Sequence, residues 1–170
     1  MHPRLTTRLG LLAAMALFGF VLAAAITFLR GWPAIPVVHD ESSFVLAGDT
    51  FAHGRLTNPP PPFPEHFATF HALVRPSYAS KYPPAQGLML ALGQVLTGHP
   101  IVGVWLSAGI LSATLTWMLL AWFAPGRALW GSLLVMLMLA GGTGETYWLS
   151  SFWGGTVAAT GGALVYGALG

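Results

Sequence analysis

The sequence predicts an all-α integral membrane protein: a polytopic bundle of apolar helices with one outward polar loop that carries an interfacial amphipathic helix. Three observations predict it. Only 7% of the 170 residues are charged, against about 25% in soluble domains. The mean hydropathy is +0.67. The few charges are also concentrated, since Arg30, Asp40, Glu41, Asp49, Arg55, Glu65, Arg75 and Lys81 all fall in residues 30–84. A chain this apolar lacks the polar surface of a soluble domain, and it is too hydrophobic and too weakly charged for disorder.

The remaining composition excludes several function classes. The formal net charge is +2 and no basic run is interleaved with aromatics, so nucleic-acid binding has no support. There are no cysteines, which removes zinc–thiolate sites, disulfides and thiol nucleophiles. His39, His53, His66 and His71 lie in the polar loop, but their spacing follows no zinc-ligand pattern and prolines interrupt the region.

The first element is an apolar run at 9–29, about 31 Å of helix and long enough to cross a bilayer. Arg4 and Arg8 precede it and place the N-terminus in the cytoplasm. The run exceeds the hydrophobic stretch of a signal peptide, so it reads as an uncleaved span. Further spans are expected at 101–124, 128–149 and 154–170. Residues 85–98 are apolar but short, roughly 21 Å as helix. Two topologies follow. If 85–98 spans, Arg127 falls outside. If it is a short or re-entrant helix, Arg127 is cytoplasmic and Glu145 emerges on the side of Asp40. The second agrees with the positive-inside tendency. The run 154–170 carries no closing charge, aromatic anchor or polar cap. The chain therefore reads as a single N-terminal portion, 1–170, of a longer transmembrane module, or as one whose last helix needs a partner.

The loop 30–84 holds the chemistry. Residues 39–53 read as a short amphipathic helix in which Phe44, Ala47, Gly48, Phe51 and Ala52 share one face. Gly54 ends it. Asp40 suits an N-cap and Glu41 suits the first-turn dipole. As chemistry, the adjacent carboxylates suit a general base, and Asp40 suits an oxygen ligand for Mg²⁺ or Mn²⁺. Pro59 to Pro62 with Pro64 form a stiff stretch that no helix crosses. Lys81-Tyr82-Pro83-Pro84 opens the next helix. There Lys81 offers a point charge and Tyr82 a donor to a lipid-linked phosphate. Arg55 and Arg75 are further phosphate candidates. Glu145 stands in the last polar interruption, beside Tyr147, Trp148 and the run 150–155, Ser-Ser-Phe-Trp-Gly-Gly. Tyr and Trp there suit an aromatic belt or a sugar platform.

Taken in order, the acidic Asp40-Glu41 after a first span, the interfacial helix, the Lys81-Tyr82-Pro83-Pro84 element and the serial apolar helices resemble the N-terminal part of a GT-C-fold glycosyltransferase. The group in question is that of the protein mannosyltransferases and lipid A aminoarabinose transferases. The resemblance implies transfer of a sugar from a polyprenyl-phosphate donor at the external face of a bacterial inner membrane. It implies Asp40, with Glu41, as base or cation-associated residue, and Lys81, Tyr82, Arg55, Arg75 and Glu145 as substrate contacts. Glu145 departs from the Asp usual at a second acidic motif. A different class is also consistent with the residues: a non-catalytic small membrane subunit or lipid-carrier-binding module, in which Asp40 only caps a helix. A transporter is disfavoured, because the ionisable groups lie in loops rather than within spans.

Overall fold

A computed structural model describes residues 3–141 and 147–170. The chain is mostly helical, with six helices among the described residues. Two of them are long and apolar enough to cross a membrane. The fold divides into two compact units: residues 1–32, 105–150 and 155–170 form the first, and residues 33–104 and 151–154 the second.

The first unit contains α1 (Pro3–Arg30), most of α4 (Ile101–Trp122), α5 (Pro125–Gly141) and α6 (Gly155–Ala168). In α1 the stretch Thr6–Arg30 is 25 residues long, yet only 17% of its apolar window is buried. A helix of a soluble core would hide that surface; here Leu17, Val21, Phe28 and Leu29 remain exposed. Helices α1 and α4 meet through small residues. A Cβ at Gly109 would lie 2.8 Å from the Ala16 carbonyl oxygen, and one at Gly19 2.7 Å from Ser112 Cβ. Such small residues let the two helix backbones approach closely. Two pairs of buried polar side chains meet within this unit: Trp105 Nε1 donates to Thr27 Oγ1 at 3.0 Å, and Ser107 pairs with Thr156 at 2.8 Å.

The expected span at 154–170 corresponds to α6, and the one at 128–149 overlaps α5 and continues into residues 142–146, which lie outside the described residues. The 17 residues of α5 end at Gly141, and residues 147–150 form a turn. Helix α6 has 14 residues. These correspond to about 26 Å and 21 Å, less than the thickness of a hydrocarbon core.

The second unit contains α2 (His39–Ala52), a 3₁₀ turn at Pro64–His66, a two-stranded antiparallel hairpin, α3 (Pro84–Thr97) and the first turn of α4. The hairpin pairs β1 (Ala72–Leu73) with β2 (Ala79–Ser80) in the register Ala72↔Ser80 and Leu73↔Ala79. Helix α3 covers nearly the expected 85–98. It starts on Pro84 and stops at Gly98, whose φ of 80° is the left-handed conformation that ends helices. The expected apolar face of α2 forms, and it packs on α3. A Cβ at Gly87 would lie 2.7 Å from Ala47 Cβ, and one at Gly48 2.8 Å from Leu90 Cβ. Gly93 and Gly103 bring α3 and α4 so close that neither position has room for a Cβ.

Candidate functional site

The site lies in the second unit and is built on the first turn of α2. Val38 is the N-cap residue and helix geometry begins at His39. Asp40 is therefore inside the first turn rather than at the cap where the sequence suggested it. Glu41 does the capping. Its Oε2 accepts the Val37 amide at 2.7 Å and the Val38 amide at 3.4 Å. Its Oε1 accepts the Phe152 amide at 3.0 Å. Both oxygens of this 5% exposed carboxylate are thus held by backbone N–H groups. Gln86 secures the other side of Phe152, donating to its carbonyl oxygen at 2.9 Å. Glu41 and Gln86 together clamp residues 151–154 onto α2 and α3.

Because Glu41 satisfies the helix start, the Asp40 side chain is released for other partners. Asp40 Oδ1 accepts the Tyr82 hydroxyl at 2.7 Å and lies 2.5 Å from His71 Nδ1. The Tyr82 oxygen and His71 Nδ1 are 2.6 Å apart, so the three groups close a triangle. An ionised carboxylate only accepts hydrogen bonds. A lone pair on Nδ1 would therefore face a lone pair on Oδ1. The proton must sit on Nδ1, which leaves Nε2 as the imidazole's basic nitrogen. His71 Nε2 and Asp40 Oδ2 carry no hydrogen bond from the described residues. The two side chains are 28% and 24% exposed, so a ligand can reach both.

A second chain of hydrogen bonds fixes the backbone beneath this triangle. The Tyr82 amide donates to Ser80 Oγ at 3.2 Å. Ser80 and Ser43 hydroxyls are 2.8 Å apart, and Ser43 donates to the His71 carbonyl at 2.5 Å. Each hydroxyl has one proton, so the direction is set: Ser80 donates to Ser43. Helix α2 thereby holds both Tyr82 and His71 one turn beyond Asp40. The Tyr82 ring stacks on Phe44 at 4.6 Å, and Lys81 Nζ lies 5.8 Å from the Tyr82 ring centroid, within cation–π range. Desolvation, with the Asp40 carboxylate adding to it, pushes the Tyr82 phenol up to about 12. It stays protonated and keeps donating to Asp40 across the physiological range.

No known protein family, curated protein or solved structure matches the chain.

Of the residues singled out in the sequence, the structure brings Asp40, Tyr82 and Lys81 together and places Glu41 in the clamp. Arg55 is exposed just beyond α2, its amide donating to the Thr50 carbonyl. Arg75 is exposed and lines an open groove of about 690 Å³ with Pro60, Pro61, Pro64 and Pro76. Glu145 lies outside the described residues. Asp40 is not joined by two further His, Asp or Glu ligands among the described residues, and both Glu41 oxygens are already taken. The residues missed by sequence reasoning are His71, Ser43 and Ser80. The concentration of histidines in the loop is the available signal for His71, although their spacing matches no zinc-ligand pattern.

Proposed function

We propose that this chain is a membrane glycosyltransferase module. It serves the transfer of a sugar from a polyprenyl-phosphate donor to an acceptor hydroxyl at the external membrane face, with Asp40 at the centre of the acid–base site. One observation carries the reading. Asp40 stands at a helix start, where capping would be its ordinary use, yet its carboxylate is taken by Tyr82 and His71, 42 and 31 residues away. A carboxylate held by distant groups and still partly exposed supports a chemical role over a local structural one.

Other features support the remaining parts of the reading. The helices α1 and α4 support a membrane setting, and the exposed apolar surface of α1, α5 and α6 supports further burial in lipid, as a polytopic bundle requires. The basic residues Arg4 and Arg8 support a cytoplasmic N-terminus and hence an external loop. Lys81, exposed beside Tyr82, supports binding of a lipid-linked phosphate, with Arg55 and Arg75 as further cations of the same loop. The resemblance of the ordered motifs to GT-C transferases supplies the donor class. Asp40→Asn in the full chain tests the reading: sugar transfer from a radiolabelled polyprenyl-phosphate donor should fall to background while helical content stays at the wild-type level. Undiminished transfer would sink it.

A further inference from the structure

We infer that the proton leaving the acceptor hydroxyl lands on Nε2 of His71, and that Asp40 acts through His71 as its orienting and charge-balancing partner. This rests on the transferase reading above and assigns its base to a different atom. The triangle of hydrogen bonds decides the roles. Asp40 Oδ1 holds Nδ1–H, fixing the tautomer and aiming Nε2 away from the carboxylate. Tyr82 holds the same oxygen from a second direction, so the carboxylate cannot rotate away. Ser43 fixes the His71 backbone through its carbonyl. The imidazole is thus locked at both ends while its basic nitrogen has no hydrogen bond from the described residues. A nucleophile's base that is itself oriented by a third group is the general logic of activated hydroxyls.

The groups facing His71 are Asp40 and His39 from α2 and Tyr82 from the segment before α3. The His39 ring lies parallel to that of His71 at 6.3 Å. The step balances as follows. The acceptor oxygen forms a bond to the anomeric carbon, and the bond from that carbon to the phosphate oxygen breaks. The bonding pair leaves on the phosphate, which departs as polyprenyl phosphate beside Lys81. The acceptor's proton goes to Nε2, giving an imidazolium paired with the Asp40 carboxylate, and is then lost to water.

The test uses the full chain in proteoliposomes with radiolabelled polyprenyl-phosphate mannose, glucose and aminoarabinose as probes. His71→Ala and His71→Asn should each lower the rate about 10²- to 10⁴-fold, and added imidazole should restore part of the His71→Ala rate. His71→Asn is the decisive variant, because its amide can donate to Asp40 but cannot take a proton. If it works within about tenfold of wild type, His71 is only a donor to Asp40 and the inference is overturned. Wild-type rates in both His71 variants with an inactive Asp40→Asn would overturn the inference alone, whereas no transfer by the wild-type chain from any of the three donors would overturn the transferase reading. A ¹⁵N-histidine NMR spectrum gives a readout independent of activity. The Nδ1–H form at His71 is expected, and an Nε2–H form contradicts the assignment.

Discussion

Replacing Glu41 by alanine should release the segment 151–154 and leave the start of α2 uncapped. Three backbone amides lose their acceptor: Val37, Val38 and Phe152. The first two belong to exposed residues and can turn to water, at a cost of about 0.5–1 kcal/mol together. The third belongs to a buried residue, 3% exposed, and is stranded, which costs about 1–3 kcal/mol. The sum is about 1.5–4 kcal/mol. At about 1.4 kcal/mol per factor of ten, this corresponds to roughly 10- to 700-fold faster exchange of the Phe152 amide, provided that exchange proceeds by local opening. Glu41→Gln keeps one acceptor oxygen and should fall between wild type and alanine. Hydrogen–deuterium exchange with peptide or residue resolution reads the effect directly. Unchanged protection at Phe152 in Glu41→Ala would refute the clamp and, with it, the argument that Glu41 frees Asp40 from capping.

Two further outcomes follow from the same geometry. In an alkaline ultraviolet titration, Tyr82 should ionise near 12, above the ordinary value of 10, and Asp40→Asn should lower this only in part, because desolvation is the larger cause. The sign follows: with the folded-state value raised, the Tyr82 contribution to stability is complete below pH about 10 and is lost as pH rises through about 12. Tyr82→Phe should remove that alkaline loss in thermal melts. Gly103→Ala would drive a Cβ into the Met89 carbonyl of α3 and should cost about 1–3 kcal/mol, seen as a lower melting temperature, while Gly10→Ala, within α1 and with nothing within 4 Å of the added carbon, should not lower it.

The long elements were legible because their signal is local. A charge-free run sets α1, and the Pro84 and Gly98 boundaries set α3 almost to the residue. Helix α2 was legible from the spacing of Ala47, Gly48 and Phe51, but its start was displaced. Both Asp40 and Glu41 are good first-turn residues, and only the position of the Val37 and Val38 amides decides that Glu41 caps while Asp40 turns away. The site was half legible. Asp40, Lys81 and Tyr82 stood out by residue type and motif. His71 did not, because it meets Asp40 only after the hairpin of β1 and β2 and the Ser43–Ser80 hydrogen bond have folded the loop back on α2. No sequence spacing encodes a contact made in that way.

The most direct measurement is the release of free polyprenyl phosphate from a polyprenyl-phosphate sugar by the full chain in proteoliposomes, wild type beside Asp40→Asn. The account predicts release by the wild-type chain and background in the variant, with both proteins equally folded. Equal release from the two, or none from wild type with any of the three sugars, would contradict it.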